Sequence, residues 1–168
     1  MSMGNIVGSR TKVIQKSDWA YIAGFFDGDG SLMVQIKNRR DTTRGWRIMF
    51  TICLYQNTHH KEPLQWMRDS LGIGYLYDRN DGITELRING YSQVKRILAA
   101  MQPYVRFKHR QVEYALKMLE VLENTKFLSL SKHKRTRLAG LYNKLREANY
   151  SSKCRKYSAE ETTQLLTI

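Results

Sequence analysis

Two carboxylates stand one residue apart in Asp27-Gly28-Asp29-Gly30, and carboxylate oxygens are the ligands that a hard cation such as Mg2+ prefers. A cation held this way polarises a phosphate and activates water, the two requirements of phosphodiester hydrolysis. The same tetrapeptide is also ordinary turn chemistry. A calcium loop fails on count: the twelfth position from Asp27 is Asn38, where a bidentate Glu is needed. One projecting carboxylate per chain is too few for a two-metal cleavage site, and a second chain would supply the other. The adjacent His59-His60 has no cysteine nearby to complete a zinc set, and Cys53 and Cys154 form no CxxC pair, so both are expected as free thiols.

These groups need elements to hold them. A first helix is expected from Lys16 or Ser17 to about Phe26, capped by Ser17 or Asp18, which leaves Asp29 just past its end and before a strand. Ala20, Gly24 and Gly28 form one stripe of small side chains on this helix. That stripe fits either a tight contact inside the domain or a helix pair between two chains, in which the two copies of Asp29 converge. Alternation then sets a strand with Leu32, Val34 and Ile36 inward, and a second with Ile48, Phe50, Ile52 and Leu54 inward, joined by the polar turn Arg40 to Gly45. A helix from about Lys61 to Leu71 carries Pro63 in its first turn. A second hairpin follows, Gly74 to Arg79 and Ile83 to Asn89, turned by Asn80-Asp81-Gly82. Helices are expected at Gln93 to Met101, Lys108 to Asn124 and Leu138 to Ala148, the last entered from a basic loop Lys132 to Arg137, with a final turn or two from Ala159. The order is αββαββα plus further helices, an α+β fold. It makes one domain over 1–168, with a core of about 17–124 and a C-terminal segment of about 125–168.

Charge narrows the partner. The 168 residues hold 28 Lys+Arg against 15 Asp+Glu, a net +13 with pI near 9.9, and a 42% hydrophobic fraction large enough to build a core. The surplus lies in two segments: residues 31–61 carry 6 basic and 1 acidic side chains, and residues 101–168 carry 14 and 6. No run of about 20 apolar residues could span a bilayer and no apolar secretion signal is evident, so a soluble intracellular protein without a membrane partner is expected. The sheet face left bare by the helices would carry Gln35, Lys37, Arg39, Arg47, Thr51, Tyr77, Arg79, Glu85 and Arg87, with Met33, Met49 and Tyr75 exposed among them. These are side chains that read base edges and hold phosphates.

The segment Ile22 to Gly30, I-A-G-F-F-D-G-D-G, resembles the signature of the LAGLIDADG homing endonucleases. Gly72-Ile73-Gly74-Tyr75, Gln102-Pro103 and Phe107-Lys108 match later landmarks of that family in the same order, and αββαββα is its fold. The tail from Ser151 to Glu161 is similar to the C-terminal segment of its small algal chloroplast members, single-motif enzymes that act as homodimers. The resemblance implies that Asp29 and the Gly28 carbonyl hold the metal, and that Gln56 orders water at the cut phosphate. It implies that Lys108 polarises solvent or stabilises charge. It further implies that Ala20, Gly24 and Gly28 form the dimer contact. Met33, Gln35, Lys37, Arg39, Arg47, Met49, Thr51, Cys53, Tyr77, Arg79, Glu85 and Arg87 would face bases, with Glu85 either accepting from cytosine or holding Arg79 or Arg87. Ser152, Lys153, Lys156 and Tyr157 would contact phosphates. Where those relatives place an Arg in the water shell, this chain has His59-His60-Lys61, with His60 or Lys61 as substitutes.

The expected activity is therefore a Mg2+-dependent double-strand break, with Mn2+ or Ca2+ as other occupants and no small-molecule cofactor. The target is a long pseudo-palindromic DNA site of about 15 to 20 base pairs, cut to leave four-base 3′ overhangs, in the service of intron or intein mobility on genomic or organellar DNA. The alternatives are an intron RNA maturase or a non-cleaving DNA-binding protein on the same scaffold, or a basic RNA-binding protein of another class.

Overall fold

Alternating apolar residues set two hairpins, and the hairpins make one sheet. β1 (Gly30–Asn38) pairs antiparallel with β2 (Trp46–Asn57) from Gly30↔Leu54 to Asn38↔Trp46. β3 (Tyr75–Asp78) pairs with β4 (Ile83–Asn89) across a turn in which Gly82 takes φ +78°, a left-handed conformation that favours glycine. β4 docks on β2 from Thr51↔Asn89 to Asn57↔Ile83, so the strand order is β1-β2-β4-β3. This computed structural model describes residues 13–123, 126–149 and 157–167.

Six helices complete the described chain: α1 (Lys16–Asp29), α2 (Glu62–Leu71), α3 (Tyr91–Met101), α4 (His109–Leu122), α5 (Lys132–Ala148) and α6 (Ala159–Thr167). The order through α3 is the expected αββαββα. Leu32, Val34, Ile36, Ile48, Phe50, Ile52, Leu54, Leu86 and Ile88 all point to one sheet face. They are buried there against Ile22, Ala23 and Phe26 of α1, Leu64 and Met67 of α2, and Val94, Ile97 and Leu98 of α3. α4 covers the β1 side, α5 packs on α4, and α6 packs on α5.

The structure departs from the expected elements at three places. α1 runs one turn further and takes Asp27-Gly28-Asp29 into the helix; it starts at Lys16 as expected, but its cap is Gln15 rather than Ser17 or Asp18, with the Asp18 carboxylate accepting from the Gln15 N–H at 3.4 Å. Gly30 then ends the helix by closeness: a Cβ there would stand 2.7 Å from the Phe26 Cα and carbonyl oxygen, and only glycine admits that approach. The basic run Lys132 to Arg137 is not a loop but the first two turns of α5. The Ser131 hydroxyl accepts from the Lys134 N–H at 3.3 Å, and Arg135 donates to the carbonyls of Leu130 and Leu128 at 3.1 and 2.9 Å, which offsets the cost of cations at a helix N-terminus. The polar sheet face is not bare at its centre, because Thr51, Cys53 and Glu85 are buried beneath their neighbours.

Candidate active site and nucleic-acid face

The end of α1 holds the candidate chemistry. Ile22, Ala23, Phe26 and Asp27 lie on its buried side. Asp27 is only 9% exposed, and its carboxylate accepts three backbone N–H groups, from Arg106 at 2.5 Å, Phe107 at 3.2 Å and Lys108 at 3.1 Å. This clamp brings Lys108 to α1. The Lys108 side chain is 8% exposed, its ammonium donates to the Asp27 carbonyl, and it lies 5.6 Å from the Phe26 ring centroid. Burial lowers the Lys108 pKa, while the charges of Asp27 and Asp29 oppose that shift. Lys108 is therefore a buried cation beside two acids and not a solvated lysine at a helix start.

Asp29 stands exposed on the last residue of α1, next to exposed Gly28. The last turn contains two acids and no base, at the end of the helix where the macrodipole is already negative. Its final carbonyls lie outside the helical ladder; Gly30 N–H takes that of Phe26 and Lys108 that of Asp27. The Asp29 carboxylate and the Gly28 carbonyl are oxygen donors in a concentrated negative field, the donor chemistry a hard divalent cation requires. Among the described residues no group of three His, Cys, Asp or Glu side chains could hold a metal, so one chain offers a partial ligand set.

Ala20, Gly24 and Gly28 face outward, and a Cβ added at Gly24 or Gly28 would meet nothing within 4 Å. The tight contact inside the domain is thus not made. Half-exposed Tyr21, next to Ala20 in α1, meets the Trp66 ring edge-on at 5.6 Å. Gln56 lies two residues past the β2 position that pairs with Gly30, at the same end of the sheet as Asp29; its side-chain oxygen accepts from the Asn57 N–H at 2.8 Å. His59 and His60 are exposed in a short 3-10 turn, and the Lys61 ammonium is engaged by Asp78 at 2.7 Å.

On the polar sheet face Gln35, Lys37, Arg39, Arg47, Tyr77 and Arg79 are exposed, and Met33, Met49 and Arg87 are half-buried. The register sets Lys37 beside Arg47 and Gln35 beside Met49. Thr51 donates to the Asn89 side chain at 2.6 Å. Cys53 is 0% exposed and burial pushes its thiol pKa up, so no base can reach it in this arrangement. Glu85 is 4% exposed and accepts from Arg79 at 3.1 Å and from Arg87, whose pKa it raises further above the ordinary arginine value. Of the two roles open to Glu85, the structure has it holding both arginines. Arg87 also lies 5.2 Å from the Tyr77 ring. Tyr157 is half-buried and its carbonyl accepts from Arg146, while Ser152, Lys153 and Lys156 lie outside the described residues.

Sequence reasoning missed the structural role of Asp27 as an acceptor for three backbone N–H groups. A signal was present, since Asp27 continues the Ile22, Ala23, Phe26 spacing onto the inward side of a helix.

The profile of the LAGLIDADG endonucleases matches residues 22–122. This chain belongs to that family. LAGLIDADG relatives include the DNA endonuclease I-CvuI of Chlorella vulgaris, 31% identical over 108 residues, which are 64% of this chain and 67% of the relative. They also include the DNA endonuclease I-CreI of Chlamydomonas reinhardtii, 30% identical over 106 residues, 63% of this chain and 64% of the relative. The LAGLIDADG fold extends over most of the chain: I-CvuI on the I-CreI target with Mg superposes with TM-score 0.77 at 27% identity, over 90% of this chain and 93% of that one. The archaeal intron-encoded homing endonuclease I-Vdi141I complexed with DNA shares the fold at TM-score 0.74 and 22% identity, over 89% of this chain and 94% of that one.

Proposed function

We propose that this protein is a site-specific endodeoxyribonuclease that makes a metal-dependent double-strand break in a long, pseudo-palindromic DNA target and so promotes mobility of an intron or intein. The observation that supports it most is the end of α1: exposed Asp29, the buried Lys108 cation and an open small-residue stripe share one corner of the fold. Two copies joined through Ala20, Gly24 and Gly28 bring two Asp29 carboxylates together and complete the ligand set, with C2 symmetry that matches a near-palindrome. Asp29 and the Gly28 carbonyl hold Mg2+, which supplies phosphate polarisation and water activation. Lys108 places positive charge beside the site, where negative charge develops on the phosphate. Gln56 orients water by its amide nitrogen, while its side-chain oxygen accepts from the Asn57 N–H. The exposed cations and Gln35 of the sheet read the target, with Arg79 and Arg87 aimed by Glu85 and suited to guanine edges. I-CvuI on its own DNA target with Ca, similar at TM-score 0.75 and 26% identity, supports a divalent metal and a duplex partner.

The test incubates the full chain with DNA spanning its candidate insertion site and Mg2+, then repeats with Asp29→Asn. Wild type cuts both strands, and the variant binds without cutting. Wild type that binds but never cuts supports a non-cleaving DNA-binding protein, and a preference for intron RNA supports a maturase. Acting on genomic or organellar DNA is part of the same reading.

A further inference from the structure

A second cationic site lies far from the chemistry. At the turn end of the β1–β2 hairpin, a pocket of about 220 Å³ is lined by Thr42, Arg44, Arg47, Tyr91, Lys126 and Phe127, together with apolar Ile48 and Leu122. Its volume is several times the roughly 30 Å³ share of a water molecule. Three lining residues are cations and none is an acid. The acid of the hairpin tip, Asp41, is gripped by Arg39 through two bonds of 3.0 Å. Arg44 is fixed in place by aromatic rings, its guanidinium 4.6 Å from the Trp46 centroid and 4.3 Å from that of Phe127. Its Nε is buried and has no hydrogen-bond partner among the described residues. A buried guanidinium donor left unmade costs more than an ordinary surface cation, and Arg47 and Arg135 add like charge around it. An anion with several acceptor oxygens would both accept from this donor and offset the like charge.

The location identifies the anion. β1 leaves α1 at Gly30 and β1 and β2 close at Asn38↔Trp46, eight residues on, or roughly 26 Å away. Arg47, which lines the pocket, also stands exposed on the polar face beside Lys37. We propose that this pocket seats a backbone phosphate of the bound DNA, roughly seven to nine base pairs from the centre of the target, with Arg44 as the clamp and Arg47 and Lys126 as supporting cations. The proposal rests on the endonuclease reading and adds a contact that anchors the outer flank without reading bases.

The test uses full-length protein carrying Asp29→Asn, which keeps DNA intact, and a duplex selected by the protein from a randomised pool. Affinities are compared for the whole duplex and for one trimmed on both sides to the central six base pairs per half. Arg44→Met, which keeps the stem between the rings, should lose about five- to twenty-fold in affinity on the whole duplex and flatten its salt slope by about one. It should match the parent on the trimmed one. Lys126→Ala, an exposed change that leaves the ring stack alone, should weaken binding in the same selective way by a smaller factor. Unchanged affinity of both variants on the whole duplex overturns the proposal, as does an equal loss on both duplexes. A thermal shift by inorganic phosphate alone that Arg44→Met abolishes, with DNA affinity intact, also overturns it in favour of a free-anion site. If no duplex binds the parent protein, the endonuclease reading itself fails.

Discussion

Asp27 and Asp29 are separated by one glycine, yet one faces the core and the other faces solvent. Asp27 is a structural acceptor for three N–H groups some 80 residues away in sequence. Asp27→Ala orphans those donors and releases the Lys108 turn, so it should cost about 2–4 kcal/mol in chemical denaturation. Asp29→Ala removes an exposed like charge from a negative helix end and should leave stability within about 0.5 kcal/mol or raise it. Lys108 gives a pH signature. Its folded pKa lies below the unfolded 10.5, so the ammonium costs stability at every pH below the folded value, and the cost fades as pH rises through the interval between the two. In Lys108→Met that rise should disappear from the pH dependence of the melting temperature, while cleavage falls at least about tenfold at neutral pH. The Ile22, Ala23 and Phe26 spacing tells Asp27 from Asp29 only if the helix runs on through Asp-Gly-Asp-Gly, and the turn reading of that tetrapeptide hid it.

Helix α1 carries two opposed faces, and the core takes only one of them. The stripe at Ala20, Gly24 and Gly28 was legible as a close-approach surface from its four-residue spacing. Whether that approach was internal or between chains depended on where the sheet lay, and Ile22, Ala23 and Phe26 turn the stripe outward. Gly24→Leu therefore has open space within one chain and should gain helix propensity of about 1 kcal/mol. Sedimentation should nevertheless show a monomer where the parent is a dimer, and cleavage should be lost; a dimer that persists would refute the stripe as the interface. The strands were the easiest elements to foresee, and β4 matches its expected bounds, since period-two alternation has a single solution once one face is apolar. The start of α5 was not foreseen, because a run of cations reads as solvated loop until Ser131 and the carbonyls of Leu128 and Leu130 are there to receive it.

Across the whole molecule the +13 balance divides into groups with different tasks. Lys108 is buried against Asp27 at the end of α1, and Lys37 and Arg47 stand exposed on the polar sheet face. Arg79 and Arg87 are held by Glu85, while Arg44 waits at the flank. A dimer carries twice the charge, so affinity for DNA should drop by roughly 10³ to 10⁵ between 50 and 200 mM salt if six to ten phosphates are met. Filter binding across a salt series checks it, and a flat titration would mean that the cations do not serve DNA. The order of elements, the inward residues of each strand and the sign of the partner's charge were all carried by the linear chain, because periodicity and composition act locally. Tertiary structure alone decided that Cys53 is covered, that Glu85 binds arginines, that Lys108 is buried and that the Arg44 Nε is buried with no acceptor among the described residues. Each of these depends on groups brought together from distant segments, and burial and pairing belong to the assembled neighbourhood.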